Sequence, residues 1–273
     1  MDNILCFKSK LYSKCKTYDQ KFELLTNELM HNVILKVNGL NHRIAEAEIY
    51  LYTADHLDSF THRDEQQSKS KHFYFHRFKT GSYKSGTFKG MDIICDCGTT
   101  ESYFGVLIRA LVDPNDNYID GPCKVVDHIL KLNKAESIKQ LLEKNTCDQL
   151  PVTGSENLCV EYKKNAWNTN KIFKSIRVGL YNTDLLDWWC KDYRFLIYPN
   201  KTKKYKHMVV ASLYANGFNA NDITVQTEIS KKSVENYICE VDKGIAHQGQ
   251  LTDLFQELTT TSEMLQLYGH LTK

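Results

Sequence analysis

The sequence predicts a mixed α/β (α+β) domain followed by a small all-helical segment. Three observations predict it. Short apolar runs bounded by turn residues recur between residues 33 and 112 and again near 176–198, in the manner of strands. Helical spacing of apolar residues occurs at 21–35 and 124–142. After residue 200 the strand signals stop and three helical patterns follow.

Residues 1–20 are basic and polar, and read as a poorly ordered arm. Lys21 to Leu35 places Phe22, Leu24, Leu25, Leu29, Val33 and Ile34 at helical spacing. Asn38-Gly39 is a hairpin turn signal, flanked by Val37 and by Ile44 to Leu51 as strands. Residues 53–72 form a polar insertion carrying His56, His62 and His72. Phe73 to Phe78 is aromatic-rich, and Thr80 to Gly90 holds three glycines among Tyr83, Lys84, Phe88 and Lys89. Met91–Cys97 and Tyr103–Val112 are two further strands about a Gly98 turn. Asp120-Gly121-Pro122 turns the chain into one helix, Lys124 to Leu142, and 148–157 is loop. Ile176–Leu180 and Tyr193–Tyr198 are the last strands.

Lys201 to Lys206 carries four lysines. Helices are then expected at 208–215, 221–228 and 231–243, with Gly217 at the first turn and Ser230 as an N-cap. The spacing suits a helix-turn-helix as well as it suits a small helical cap. The lysines fit nucleic acid or a solvated linker. Residues 248–273 read as a helix or a frayed end. The expected division is therefore 1–20, 21–200, 201–247 and 248–273.

Composition bounds the function classes. With 42% hydrophobic and 25% charged residues the chain is of ordinary globular type. A net charge of +2 does not mark a polyanion binder, so any nucleic-acid argument rests on charge distribution. No apolar run nears the roughly 20 residues of a membrane span. The opening residues lack the apolar core of a signal peptide, so a nuclear or cytoplasmic setting with reduced thiols is expected for the nine cysteines. Cys95 and Cys97 have no partner pair at zinc spacing, and no metal site is expected.

Two runs stand apart. Glu46-Ala47-Glu48-Ile49-Tyr50 places carboxylates in an apolar strand, and Gly105–Leu111 places Arg109 in another. A buried charge without a partner costs several kcal/mol, so Glu48 and Arg109 are expected to meet. Such a pair is either a structural bridge or a centre that activates water, and pattern alone favours the bridge.

These residues also carry a resemblance. Glu46-Ala47-Glu48-Ile49-Tyr50 is similar to the Glu-Thr-Glu-Ala-Tyr strand of the alkyladenine (3-methyladenine) DNA glycosylase family. In the same order, Gly90-Met91, Leu107-Ile108-Arg109-Ala110-Leu111, Gly121-Pro122-Cys123-Lys124, Arg177-Val178-Gly179 and Tyr193-Arg194-Phe195 resemble that family's later motifs. The resemblance covers about residues 20–199. It implies a curved antiparallel sheet with flanking helices and an enzyme of base excision repair. Such an enzyme extrudes a modified purine from double- or single-stranded DNA and hydrolyses its N-glycosidic bond, as a monomer and without metal or organic cofactor. Glu48 would activate the water, Arg109 and His62 would help hold it, and Tyr50 would stack on the base.

The chain departs from that pattern at three positions and in one segment, Ser59 to His76, which has no close counterpart in it. Gly86 and Lys89 stand where the family has a second stacking Tyr and a Tyr wedge, and Asp96 stands where it has a pocket Asn. Tyr83 or Phe88 would substitute for the missing aromatics in a shifted register. Lys84, Lys89, Lys203, Lys204, Lys206, Lys231 and Lys232 are the candidate nucleic-acid contacts. A second expectation is a helix-turn-helix protein that binds nucleic acid on this scaffold without cleaving it.

Overall fold

The computed structural model describes residues 1, 3–99, 101–180, 182–249 and 260–273. The fold is mixed α/β with an open antiparallel sheet. The chain divides into two compact units, Met1–Lys171 and Ile172–Lys273.

The first unit begins where an arm was expected. Ile4, Leu5, Phe7 and Tyr12 are instead buried, and Phe7 lies 4.8 Å from Phe104, ring to ring. Backbone bonds between Leu5, Phe7 and Asp96 fix the segment. Apolar residues at these four positions outweigh the surrounding lysines. Helix α1, Tyr18–His31, starts at Thr17, whose side chain accepts from Gln20 N, and buries Phe22, Leu25 and Leu29. It is shorter than its apolar period. The β-branched Val33 and Ile34 open strand β1, Val33–Val37, instead of closing the helix.

Asn38 and Gly39 both take positive φ, the requirement of a tight hairpin, and lead into β2, Leu40–Thr53. The remaining strands of this unit are β3 (His56–Leu57), β4 (Phe73–Phe75), β5 (Met91–Ile94), β6 (Tyr103–Val112), β7 (Tyr118–Asp120) and β8 (Leu158–Tyr162). The sheet order is β4-β5-β6-β2-β1-β8, with β3 on β2 and β7 on β6. The long pair β2–β6 is its centre. The helix expected over 124–142 is two: α2, Pro122–Leu132, and α3, Ile138–Lys144. Lys134 takes positive φ between them, and Ser137 caps α3.

In the second unit β9, Phe173–Ser175, pairs antiparallel with β10, Arg194–Leu196. The strand expected at Ile176–Leu180 therefore lies earlier in the chain, and Gly179 at φ 75° turns it away. A short helix, α4 (Leu186–Trp189), separates the two strands. Among the described residues four helices follow: α5 (Lys206–Ala215), α6 (Ala220–Thr227), α7 (Lys231–Ala246) and α8 (Thr261–Thr272). Phe173 and Leu196 join Val209, Val210, Leu213, Ile223 and Val234 in one core. Residues 172–200, expected with the sheet domain, fall in the second unit, where Phe173 and Leu196 pack against the helices. Of the tail expected at 248–273, residues 250–259 lie outside the described residues, and the rest includes α8. A Cβ at Gly244 would lie 1.9 Å from the Gln266 carbonyl oxygen, and one at Gly269 would lie 2.1 Å from that of Val241. Glycine at both sites lets α7 and α8 touch backbone to backbone.

Candidate active site

The site is built on the β2–β6 ladder. Ile44 pairs with Leu111 and Ala47 with Ile108, and in that register Glu46 would stand opposite Arg109. The ladder breaks there, with register shifts on both sides of Glu46. Such irregularities re-aim side chains. Glu48 pairs with Leu107 and Tyr50 with Gly105, so Glu46, Glu48, Tyr50 and Arg109 share one face of the sheet.

Arg109 bridges the two carboxylates. Its Nε donates to Glu46 Oε1 at 2.8 Å, and its Nη1 lies 3.3 Å from Glu48 Oε1. The Tyr50 hydroxyl donates to Glu48 Oε2 at 2.7 Å, and Tyr118 reaches Glu46 Oε2 at 3.4 Å. Glu46, Glu48 and Arg109 are all buried. Burial alone would pull the Arg109 pKa down. The charges of Glu48 and then Glu46 outweigh it and hold the guanidinium above its ordinary value. The expected meeting of Glu48, Arg109 and Tyr50 is thus found.

His62 is placed elsewhere. Tyr74 pairs with Asp92, Asp92 with Leu107 and Leu107 with Glu48, so one row crosses four strands on the same face. At about 4.8 Å per strand, the Asp92 and Glu48 backbones are about 10 Å apart. His62 belongs to the Asp92 end of this row. Its ring centroid is 4.5 Å from that of His76, and His76 Nε2 lies 2.9 Å from Asp92 Oδ1. Gln67 donates to the other Asp92 oxygen at 3.1 Å. Two glycines make room for this group. A Cβ at Gly90 would lie 2.6 Å from the His76 ring, and one at Gly105 would lie 2.6 Å from Asp92 Oδ2.

Lys84 Nζ donates to His62 Nε2 at 3.4 Å, and His62 Nδ1 faces the Tyr74 hydroxyl at 3.4 Å. Part of His62 reaches solvent. Even so, its burial against the cleft wall, and then the charge of His76, draw its pKa down to about 4. Burial likewise lowers the Lys84 amine. Arg77 clamps Asp64 with two bonds, 2.5 and 3.1 Å. These groups line a cleft of about 540 Å³ with Arg63 and Lys79. Sequence reasoning missed His76 and Asp92. The signal for Asp92 was the one used for Glu48, a lone carboxylate inside an apolar strand.

The other expected site residues scatter. Asp96 is committed to the turn at Gly98, whose N–H it accepts at 2.6 Å, and to Cys6. It does not line the cleft at His62. Tyr83 lines an adjoining cleft of about 550 Å³ with Leu130, Ser137 and Ile138, which shares Gly81 and Lys84 with the first, and Tyr50 is not on its wall. Lys89 is paired with Asp127. Phe88 stands 71% exposed at the tip of the Gly86–Phe88 turn. Lys203, Lys204, Lys231 and Lys232 are exposed in the second unit, and Lys206 is half-buried. Among the described residues no group of three or more His, Cys, Asp or Glu could hold a metal ion, and no helix is long and apolar enough to cross a membrane.

Fold and site define a class: a mixed α/β protein whose open antiparallel sheet buries a carboxylate–guanidinium–tyrosine cluster at a break in its central ladder. No family model matches the chain. It is similar to Uncharacterized protein L759 of Acanthamoeba polyphaga mimivirus, 34% identical over 199 residues, 68% of this chain and 89% of that protein. The chain belongs to the family of that viral protein.

Proposed function

We propose that this chain is a glycosylase-like hydrolase of the N-glycosidic bond of a modified purine in DNA, with Glu48 activating the water. One observation carries the reading: Glu48 and Tyr50 on one strand and Arg109, some sixty residues further along the chain, are bonded together on a single sheet face. Loss of a purine leaves positive charge on the sugar. A carboxylate beside that carbon stabilises the charge and takes the proton of the attacking water. Arg109, tied to Glu46, fixes where Glu48 points. Tyr50 both orients Glu48 and offers a ring to an extruded base, and stacking of that kind is worth roughly 1–3 kcal/mol. His62, held in the Asp92 group, takes no part in this step. Phe88 supports the same reading. Lys89 is engaged with Asp127, whereas Phe88 presents an apolar ring to solvent on an adjacent residue, as a wedge between base pairs requires.

The test is release of hypoxanthine or 3-methyladenine from single- and double-stranded oligonucleotides in single turnover. Wild type releases base and Glu48→Gln does not. Phe88→Ala loses activity on duplex and keeps it on single strands. A wild-type protein that binds every modified substrate and releases nothing would leave the other reading, a nucleic-acid binder on this scaffold. The three-helix arrangement of the second unit favours that alternative.

A further inference from the structure

In the second unit, α6 and α7 are joined by three residues, Glu228-Ile229-Ser230. Glu228 takes the left-handed conformation, φ 56°, and Ser230 caps α7 by accepting from Ser233 N. Short connection, turn and cap are those of a helix-turn-helix. With α5 the two helices enclose Val209, Val210, Leu213, Ile223 and Val234, and Phe218, Ile229, Tyr237 and Ile238 pack around them. The inner stripe of α7 is thereby used. Its opposite stripe, Lys232, Glu235, Asn236 and Cys239, is exposed at spacing i, i+3, i+4, i+7, one continuous face starting at the helix N-terminus.

A second observation concerns the lysine run. Asn200 donates to Glu228 at the α6–α7 turn, 2.8 Å, and the His207 ring lies edge-on to Tyr237 of α7, 6.3 Å between centroids. The segment from 201 to 206 is therefore pinned at both ends beside α7. Among the described residues, Lys204, Lys206 and Lys232 have no carboxylate within ion-pair distance. Lys231 has only a loose exposed pairing with Glu235, 3.9 Å.

We infer that this three-helix piece reads base sequence in duplex DNA. The N-terminal half of α7 lies in the major groove, with Lys232, Glu235 and Asn236 at base edges and Lys203, Lys204 and Lys206 on phosphates. The major groove of B-form DNA admits one α-helix, and three of the four side chains of the exposed stripe have a matching edge. Asparagine bonds adenine at two points, lysine bonds guanine, and glutamate accepts from cytosine. Glu235 argues for reading rather than mere charge attraction, because a carboxylate on this face weakens sequence-independent binding to phosphates. The deep, narrow major groove of A-form RNA excludes the helix, so the occupant is DNA. The inference is independent of the chemistry proposed for Glu48.

The experiment uses the whole chain. Sequences are selected from a random duplex pool, and binding to the enriched site and to an unrelated duplex is followed by fluorescence anisotropy against salt. An enriched site is expected. Asn236→Ala, a change on a solvent-facing position, should lower affinity for that site by about 5- to 150-fold and leave the unrelated duplex unaffected. Lys232→Ala supplies the same test at a second position. The double change Lys204→Ala, Lys206→Ala should weaken both duplexes equally and reduce the log–log salt slope by about 1.8. Glu48→Gln should bind as wild type, so a failure of the hydrolase reading leaves this one standing. Failure to enrich any sequence, an enriched site indifferent to both Asn236 and Lys232, or equal binding to duplex RNA overturns the inference.

Discussion

Replacing Glu48 by Gln separates chemistry from architecture. Glu48 Oε2 accepts from Tyr50 at 2.7 Å, and its Oε1 is the longer arm of the Arg109 bridge, 3.3 Å against 2.8 Å to Glu46. Glutamine has the same volume; with its oxygen accepting from Arg109 Nη1 and its NH2 donating to the Tyr50 oxygen it keeps both contacts, while Arg109 keeps Glu46. What is lost is the charge on one hydrogen-bonded arm. A bond to a charged group contributes about 1.5–3 kcal/mol and a neutral one about 0.5–1.5 kcal/mol, so the change costs about 1–1.5 kcal/mol. In a unit of this size that lowers Tm by about 2–6 °C. Loss of a general base costs about 10²- to 10⁴-fold in rate, far more than this loss of stability explains. The assay is thermal unfolding beside single-turnover base release, with Glu46→Gln as control. Glu46→Gln removes the shorter arm of the bridge and should cost more stability and less activity. A Glu48→Gln protein that releases base at more than about a tenth of the wild-type rate refutes the assignment. Equal activity losses in the two variants, each with more than about 3 kcal/mol of destabilisation, would reduce the cluster to a structural bridge.

Arg109→Met leaves Glu46 and Glu48 buried without the guanidinium that bridges them, and should cost about 3–5 kcal/mol in urea unfolding. Gly105→Ala drives a methyl group to 2.6 Å from Asp92 Oδ2 and 3.2 Å from Gln67 Nε2. A loss of about 1–3 kcal/mol is expected, with a change in the His76 ring signals by NMR. His42 Nε2 lies 2.9 Å from His128 Nε2, and burial holds the pKa of each below its ordinary 6.5. The unfolded chain therefore takes up these protons first. The stability the pair contributes is complete above about pH 6.5 and falls with pH below it, by at most about 1.4 kcal/mol per pH unit for each histidine. His128→Gln should remove roughly half of that slope in denaturant titrations between pH 4 and 7.

Local chemistry decided much of both units. Asn38-Gly39 made a hairpin because both residues tolerate positive φ. Glu46, Glu48 and Arg109 announced their meeting because each is a charge inside an apolar strand. Ser230 and Gly217 marked helix limits through their own backbone preferences. Other features depended on competing packing. Val33 and Ile34 extend the helical period of 21–35 yet belong to β1, where β8 covers them from the far side. The lysines of residues 1–20 hide four apolar side chains whose burial needed a sheet to bury against.

By itself the sequence determined the α/β character, the central Glu–Arg encounter and the three helices after residue 200. These follow from spacing, turn propensity and the cost of an isolated charge, all properties of neighbouring residues. The tertiary structure alone decided that His62 joins His76 and Asp92 rather than Glu48. It also decided that Asp96 serves a turn and that Phe173 and Leu196 pack against the helices. Those outcomes depend on strand order and register, which bring together residues whose separation along the chain carries no trace of their meeting.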